Sequence, residues 1–213
     1  MTPLSMKSST VRSLRALLSQ RAERDDQQRF VVEGPVSTAE AVRAGWSCLM
    51  QFVPEGSNVR VEGAGPVQEL AEGVFERVGS TKTPQPPLTV VAMPSRTAEG
   101  VLGTASLVVV LDRIADPGNL GTILRSAEAA GADAIVVTPG SVDVYNPKVV
   151  RASAGAIFNV PVVVADLDTV SSAGLELFGT SSHHAAGRTV TPYTDAGLTG
   201  RVALVMGLSL IHI

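Results

Sequence analysis

The sequence predicts an α/β fold with a parallel sheet in the C-terminal half of the chain and a smaller α/β unit before it. The first observation is that continuous apolar runs, SLVVVLDRI, ADAIVVTPG and VPVVVAD, alternate with segments of helical periodicity. This pattern is typical of parallel strands that are covered on both faces. The second is that 45% of the 213 residues are hydrophobic and only 17% are charged, a composition that favours a packed core over disorder.

In the N-terminal half, strands and helices follow one another without an internal repeat. The segment from Met6 to Arg29 has the apolar spacing of an amphipathic helix. The segments after it are, in order, FVVEG as a strand, PVSTAEAVRAG as a helix, SCLMQFV as a strand, PVQELAE as a short helix and VFERVGS as a third strand. The stretch STKTPQPPLTVVAMPSRTAEG contains four of the 13 prolines, which predicts a domain boundary near Pro94 to Gly100.

The C-terminal half is more regular. Its predicted strands are SLVVVLDRI, ADAIVVTPG, VPVVVAD, a short strand near Gly179 and RVALVMG, and its predicted helices are PGNLGTILRSAEAAG, NPKVVRASAGAIF and LDTVSSAGLELFG. Because strands and helices alternate, we expect a parallel sheet with helices on both faces.

Composition excludes several classes of protein. The net charge of −3 gives no global argument for a nucleic-acid partner, although a local basic patch remains open. The single cysteine, Cys48, excludes an internal disulfide, and the adjacent His183 and His184 cannot face one metal ion as ligands four residues apart do. No metal site is therefore predicted. The N-terminus is too polar for a secretory signal, and no apolar run reaches the roughly 18 residues of a membrane span, so a cytoplasmic protein is predicted.

The stretch LDRIADPGNLGTILRSAEAAGADAIVV, from Leu111, predicts a strand that passes directly into a capped helix. Asp116 is a suitable N-cap, Pro117 suits the first turn and Gly131 suits the helix end. Asn119 lies at the start of this helix, and Arg125 lies off its apolar stripe. Asn119 and Arg125 are thus candidates for ligand binding at the carboxyl end of the sheet. A capped helix with a solvated arginine explains the same spacing, and neither dinucleotide-binding nor P-loop glycine motifs are present.

The same stretch, followed by YNPKVVRASAGAIFNVPVV, resembles the first conserved region of the SpoU/TrmH family of RNA ribose 2′-O-methyltransferases. This family has a knotted, trefoil-type α/β fold (the SPOUT class) and uses S-adenosylmethionine. LRALLSQRAERDDQQRFVVEGPVSTAEAVRAGW is similar to the small, ribosomal-protein-like substrate-binding domain of members that act on ribosomal RNA. The resemblance continues through Gly207. It implies a substrate-binding domain over residues 1–97 and a methyltransferase domain over residues 98–213.

The resemblance also implies roles for individual residues. Asn119 and Arg125 are expected in the catalytic region, with the arginine beside the target ribose hydroxyl. Thr180, Ser181 and Gly207 match segments that bind the methyl donor, and Lys148, Arg151 and Ser153 match positions on the RNA-facing side. The resemblance favours ribosomal RNA over transfer RNA as the substrate, and it implies a homodimer.

Basic residues near the N-terminus form a candidate phosphate-binding surface. They are Lys7, Arg12, Arg15, Arg21, Arg24 and Arg29. A solvated helix face, with Glu23, Asp25 and Asp26 offsetting part of the charge, is the open alternative.

The last six residues, LSLIHI, depart from the family pattern, which has a glutamate, a glycine-containing turn and a Ser-Leu-Asn helix in this region. We expect Leu208–Ile213 to be non-family sequence, which would leave the knot incomplete and remove half of the donor site. A catalytically inactive RNA-binding protein of the same fold is therefore the alternative to the enzyme. A nucleotide-binding α/β domain unrelated to RNA is the third possibility.

Overall fold

The computed structural model describes residues 2–180 and 190–207, and the chain forms two compact units. The first unit contains the chain up to Ser95 and the segment Asp143–Asn159. The second unit contains Arg96–Val142 and the chain from Val160 onwards. The segment Asp143–Asn159 thus packs with the N-terminal part of the protein, although in sequence it interrupts the second unit.

The first unit is a four-stranded mixed sheet with helices. Its elements are α1 (Ser9–Ser19), α2 (Arg21–Gln27), β1 (Arg29–Glu33), α3 (Pro35–Arg43), β2 (Cys48–Pro54), β3 (Val67–Leu70), α4 (Val74–Val78), β4 (Leu88–Ala92), α7 (Pro147–Ala152) and α8 (Ala156–Asn159). The strand order is β1-β4-β2-β3. β4 pairs antiparallel with β1 and β2, and β3 pairs parallel with β2.

An apolar face of α1 forms part of the core of this unit. Val11, Leu14 and Leu17 are buried and follow one another at three-residue spacing, so they lie on one side of the helix. They pack in one cluster with Phe52 and Val90 of the sheet. The segment from Met6 to Arg29 is therefore amphipathic and mostly helical, as predicted. It forms two helices rather than one, because Gln20 between them has extended backbone angles.

The segment Asp143–Asn159 joins the first unit through an aromatic cluster. Phe30 of β1 lies 4.7 Å from Tyr145 and 6.4 Å from Phe158, measured between ring centroids. Trp46 packs edge-on against Phe30 and Phe158, and its indole N–H donates to the Phe158 carbonyl at 2.9 Å. Because aromatic pairs contribute beyond the area they bury, this cluster holds the segment to β1.

Two predicted elements of the first unit are wrong in type. PVQELAE, predicted as a helix, contains β3, because its parallel pairing with β2 overrides the helix propensity of Gln, Glu and Leu. VFERVGS, predicted as a strand, contains α4. Its buried residues Val74, Phe75 and Val78 have helical spacing, which outweighs the strand preference of valine.

The proline-rich stretch before the second unit also contains a strand that the sequence analysis did not predict. β4 lies between Pro87 and Pro94 and is paired on both sides in the sheet. The predicted single helix NPKVVRASAGAIF is likewise divided, into α7 and α8. Ala154 and Gly155, which separate them, have φ values of +47° and +100°, which a continuous right-handed helix does not allow.

The second unit is a five-stranded parallel sheet with helices. Its elements are α5 (Ala98–Leu102), β5 (Leu107–Asp112), α6 (Pro117–Ala129), β6 (Ala134–Val137), β7 (Val162–Val164), α9 (Leu167–Ser172), β8 (Glu176–Gly179), a 3-10 turn (Tyr193–Asp195) and β9 (Val202–Gly207). The strand order is β7-β6-β5-β9-β8, and all four pairings are parallel. The predicted α/β class and the parallel sheet are confirmed.

The core of the second unit lies around the central strand β5. From Val108 to Asp112 each residue of β5 is buried, and residues of β6 and β9 on either side share its apolar cluster. This burial on both faces explains why the strands appear in the sequence as continuous Val and Ile runs rather than as an alternating pattern. None of the described helices is long and apolar enough to span a membrane.

Asp133, which precedes β6, is hydrogen-bonded to the backbone at the beginning of β5. Its Oδ2 accepts hydrogen bonds from the backbone N–H groups of Ser106 and Leu107, at 2.8 and 2.9 Å. These two bonds lower the pKa of the Asp133 carboxyl below its ordinary value, because they stabilise the charged form.

We predict that Asp133 makes stability depend on pH in the acid range. Because its pKa is lowered on folding, its contribution is present above the unfolded-state pKa of about 3.9 and is lost as pH falls through the folded-state pKa. Urea unfolding should show that Asp133→Asn is less stable than the wild type at neutral pH, and that the difference narrows below about pH 4. Glu176→Gln, a change at an exposed carboxylate of the same unit, is the control. A difference that persists undiminished at acid pH would contradict the prediction.

Candidate active site at the carboxyl end of the parallel sheet

The strand order of the second unit indicates a candidate ligand site at the carboxyl end of the sheet, where the parallel strands end. From β5 the chain moves to β6 and β7 on one side, then crosses to β8 at the far edge and inserts β9 beside β5. The strand order therefore reverses beside β5, because the next two strands extend to one edge of the sheet and the last two fill the other side. α/β proteins bind ligands beyond the strand ends at such a reversal. Asp112 and Gly207, the last residues of β5 and β9, are paired in register there.

A buried hydrogen-bond network fixes the loop that follows β5. The Thr138 hydroxyl donates to Asp112 Oδ1 at 2.8 Å and accepts from the backbone N–H of Arg113 at 3.1 Å. The Ser141 hydroxyl accepts from the backbone N–H of Ile114 at 3.2 Å. These side chains, which follow β6, hold the loop after β5 in one conformation. The sequence prediction missed both side chains because it assigned TPG to the end of the strand ADAIVVTPG, although TPGS is a typical turn sequence.

Gly207 leaves this end of the sheet without a side chain on β9. A Cβ atom at this position would lie 2.6 Å from the Asp112 carbonyl oxygen, closer than any ordinary contact. The approach of the two strand ends thus requires glycine, and the end of β9 presents only backbone groups.

Thr180, predicted to bind the donor, directly follows β8. Its backbone N–H donates to the Val205 carbonyl at 2.9 Å, and its hydroxyl is 3.0 Å from the same oxygen. Both donors of Thr180 are thus used within the sheet, while the residue remains exposed. Ser181, His183, His184 and Leu208–Ile213 lie outside the described residues, so the predictions made for them, including the incomplete knot, remain predictions.

α6 begins at this end of the sheet as the sequence predicts. Asp116 caps it, accepting a 2.7 Å hydrogen bond from the backbone N–H of Asn119 at the third helical position, and Pro117 occupies the first helical position. The carboxylate therefore uses the backbone N–H of Asn119, which is not free to bind an anionic ligand. Gly131, with φ of +72°, follows the helix.

The side chains of Asn119 and Arg125 are both exposed on α6. Neither side chain has a hydrogen-bond partner among the described residues. Arg125 is eight residues beyond Pro117, about 12 Å along the axis at 1.5 Å per residue. Helical side chains lean towards the N-terminus of their helix, so the long side chain of Arg125 leans towards the carboxyl end of the sheet.

All nine residues predicted to contact RNA belong to the first unit. Seven of them are exposed there: Lys7, Arg12, Arg15, Arg21, Arg29, Lys148 and Arg151. Arg21 lies 3.3 Å from Asp25, and Arg151 donates to the Ser80 hydroxyl at 3.2 Å.

Arg24 and Ser153 are not on the surface. Arg24 is 3% exposed, and its guanidinium donates to Asp143 Oδ2 at 2.8 Å through Nε and to the Leu17 carbonyl at 2.6 Å. Ser153 is fully buried, and its hydroxyl donates to the Val150 carbonyl at 2.7 Å. Both polar groups are satisfied inside the first unit, so these two residues do not belong to a phosphate-binding surface of this structure. Within the described ranges, no group of three or more His, Cys, Asp or Glu residues could hold a metal ion.

Comparisons with known proteins identify both parts of the chain. Residues 106–208 match the SpoU rRNA methylase family, and residues 8–89 match the MRM3-like substrate binding domain. The chain is 32% identical over 196 residues to the Bacillus subtilis 23S rRNA (guanosine(2553)-2′-O)-methyltransferase RlmP, covering 89% of this chain and 75% of that protein. The chain belongs to the SpoU rRNA methylase family.

Other relatives agree with this assignment. The mouse mitochondrial rRNA methyltransferase 3 is 32% identical over 162 residues, which are 71% of this chain and 38% of that protein. Among solved structures, the SpoU methyltransferase AviRb from Streptomyces viridochromogenes in complex with AdoMet superposes with a TM-score of 0.79 at 26% identity, over 94% of this chain and 81% of that one. The predicted family and the enzyme class, an RNA ribose 2′-O-methyltransferase by family, are confirmed.

We predict that Arg24 contributes to stability and not to RNA binding. Arg24→Met should lower the free energy of unfolding by about 3–5 kcal/mol, because it leaves the Asp143 carboxylate without its buried partner. Arg21→Met, which removes an exposed pair, should cost at most about 1 kcal/mol, and Arg24→Met/Asp143→Asn should recover part of the loss. Urea unfolding measures all three. Equal losses for Arg24→Met and Arg21→Met would show that the buried pair is not important.

Proposed function

We propose that this protein transfers a methyl group from S-adenosylmethionine to a ribose 2′-hydroxyl of ribosomal RNA. The observation that carries the proposal is the exposed guanidinium of Arg125, which has no partner among the residues that the structure describes. It lies on the helix that begins at the carboxyl end of the sheet in a SpoU-family chain. The relative from B. subtilis is named for the same reaction on 23S rRNA, and AviRb was solved with AdoMet.

The described strand ends fit this methyl donor. Gly179 and Gly207 end β8 and β9, and Thr180 follows with both of its donors turned into the sheet. Backbone groups and small side chains at the strand ends leave space for a ligand, and Thr180, Ser181 and Gly207 are the residues that we assign to it. When bound, the sulfonium supplies an electrophilic methyl carbon.

The residues of α6 would act on the acceptor side of the reaction. The ribose 2′-oxygen forms a bond to the methyl carbon, the carbon–sulfur bond breaks, and the hydroxyl proton passes to solvent. The Arg125 guanidinium would stabilise the negative charge that develops on the 2′-oxygen. It would not remove the proton as its main role, because an arginine guanidinium has no lone pair available to accept a proton. Asn119 would orient the nucleotide near the start of the helix. Alignment of the two reacting atoms would supply much of the acceleration.

We assign RNA binding to those exposed basic residues of the first unit for which the sequence predicts it. They are Lys7, Arg12, Arg15, Arg21, Arg29, Lys148 and Arg151. Such contacts with phosphates provide affinity and orientation but little sequence specificity. With the family matches, they support a substrate-binding domain over residues 1–97 and a methyltransferase domain over residues 98–213, in which Asp143–Asn159 packs with the first unit. The proposals of a homodimer and a cytoplasmic location rest on the family resemblance.

We predict that Arg125 is required for methyl transfer. Arg125→Ala should lower kcat by about 10²–10³, the typical cost of removing one group that stabilises an oxyanion. Tritiated methyl transfer from S-adenosylmethionine to total RNA measures this, with ribosomal and transfer RNA separated afterwards. Resistance of the labelled linkage to alkali identifies the 2′-O position.

Ser126→Ala is the matched control for Arg125→Ala, because it removes a neighbouring exposed group of the same helix whose hydroxyl is bonded to the Thr122 carbonyl. Wild-type activity in Arg125→Ala would remove the catalytic assignment. An absence of RNA methylation by the wild type would remove the proposed function.

We predict that the exposed arginines of α1 contact RNA phosphates. Arg12→Gln/Arg15→Gln should weaken RNA binding for all sequences and should reduce the slope of log affinity against log salt concentration by about 1–2, because each phosphate contact contributes about 0.7–0.9. Titrations of ribosomal RNA at several salt concentrations measure both effects. Arg43→Gln/Arg77→Gln removes the same charge elsewhere in the first unit. An equal loss in this control would attribute the effect to net charge alone.

A further inference from the structure

Arg113 has a backbone conformation that its residue type disfavours. Among the described residues, Gln28, Arg113 and Ala154 are the non-glycine residues with positive φ, and Arg113 has φ of +53°. Gln28 has an ordinary explanation, because it ends α2 in the left-handed conformation that often terminates helices. Arg113 is at no helix end. It directly follows β5, the central strand of the parallel sheet.

The surrounding loop holds this conformation in place. The backbone N–H of Arg113 donates to the Thr138 hydroxyl at 3.1 Å, and on its other side Ile114 is bonded through both its N–H and its carbonyl, to Ser141 and Val142. Glycine would adopt the same conformation without steric cost. A side chain kept at such a position is a reason to look for a function of that side chain.

The guanidinium of Arg113 is held near a carboxylate but is not bound by it. Its Nε is 3.8 Å from Asp112 Oδ1, which is beyond hydrogen-bond distance, and that oxygen already accepts from the Thr138 hydroxyl. The Arg113 side chain is 57% exposed, whereas that of Asp112 is 9% exposed. The buried carboxylate therefore attracts the guanidinium to the end of β5 and leaves its hydrogen-bond donors free.

Few basic groups are available in this unit. Its described part contains four arginines, Arg96, Arg113, Arg125 and Arg201, and no lysine. Arg201 donates to backbone carbonyls, those of Ala105 and Ala173 among them, and Arg96 also has a partner. Within the described residues, the guanidiniums of Arg113 and Arg125 are the ones in this unit without a hydrogen-bond acceptor. Arg113 belongs to the loop at the strand ends, where the neighbouring Gly207 contributes no side chain.

We propose that Arg113 binds a phosphate group of the RNA substrate next to the methylated ribose. The planar guanidinium donates two parallel hydrogen bonds to phosphate oxygens, and the fixed backbone makes this contact directional. The inference rests on the proposed function, because it takes RNA as the molecule that reaches this end of the sheet. In this proposal Arg113 contributes to the affinity for RNA, whereas Arg125 acts in the chemical step.

Arg113→Gly separates this role from a structural one. We expect the KM for RNA to rise about 10- to 100-fold, the effect of losing one charged hydrogen-bond contact, with kcat at saturating RNA and the affinity for S-adenosylmethionine unchanged. The slope of log affinity against log salt concentration should fall by about 0.7–0.9. The melting temperature should equal that of the wild type or exceed it by up to about 3 °C, because glycine relieves the strained φ. A structural role would instead lower the melting temperature.

Two further substitutions and one control complete the experiment. Arg113→Asn, which tolerates positive φ but carries no charge, should weaken RNA binding as Arg113→Gly does. Arg113→Lys should retain most of the affinity, because a lysine also pairs with phosphate as a point charge. Gln28→Gly relaxes a comparable φ at an exposed position of the first unit, and it should leave the KM for RNA unchanged.

Each result has a distinct meaning. If the wild type methylates RNA and Arg113→Gly has an unchanged KM and salt dependence, the role of Arg113 is wrong and the proposed function stands. If Arg113→Gly instead loses affinity for S-adenosylmethionine with unchanged RNA affinity, Arg113 binds the carboxylate of the donor and the phosphate assignment is overturned. If the wild type neither binds nor methylates RNA, the proposed function fails and the inference fails with it.

Discussion

The parallel pairing of β5 with β9 is the constraint on which the second unit depends. It joins Leu107–Asp112 to Val202–Gly207, two segments from opposite ends of this unit, in an unbroken register. β5 is buried from Val108 onwards, and β9 buries Val202, Ala203 and Val205. A shift of register or a separation of the pair would therefore expose the core of the sheet. Because the strands are parallel and in register, their last residues, Asp112 and Gly207, lie at the same end of the sheet. The candidate active site results from this geometry.

The loops at that end are fixed by polar groups rather than by apolar packing. Thr138 and Ser141 connect the loop after β6 with the loop after β5, and their hydroxyls satisfy backbone groups that would otherwise be buried without partners. Preorganisation of this kind is needed where a nucleophile and an electrophile must be aligned within a fraction of an ångström. The same bonds hold the backbone at Arg113 and Ile114, and Arg113 has a φ of +53°. The hydrogen bonds of Thr138 and Ser141 thus fix both the loop after β5 and the position of the exposed Arg113 in it.

In the first unit, the segment Asp143–Asn159 adds basic residues and part of the core to the substrate-binding part of the chain. It lies within the residues matched by the methylase family, yet it packs with the substrate-binding part through the aromatic cluster around Phe30 and through the Arg24–Asp143 ion pair. It carries Lys148 and Arg151 into the unit that also contains the basic residues of α1. A domain boundary at residue 97 would assign Lys148 and Arg151 to the methyltransferase domain. In the structure, both residues pack with the first unit. A chain with a net charge of −3 can in this way still present local positive surfaces to RNA.

Features that depend on neighbouring residues were determined by the sequence itself. The buried strands of the second unit, the Asp116 cap, Pro117 in the first turn of α6 and the exposure of Arg125 follow from local periodicity and capping chemistry. Features that depend on distant partners were decided only by the tertiary structure. β3 is a strand because it pairs with β2. Arg24 is buried because Asp143 lies beside it as an ion-pair partner. The backbone at Arg113 and Ile114 is held by hydrogen bonds to Thr138 and Ser141. The physical reason is that a paired strand, a buried charge and a strained backbone angle are stabilised by groups that lie far away in the sequence. A local sequence pattern does not predict which distant residue will be the partner.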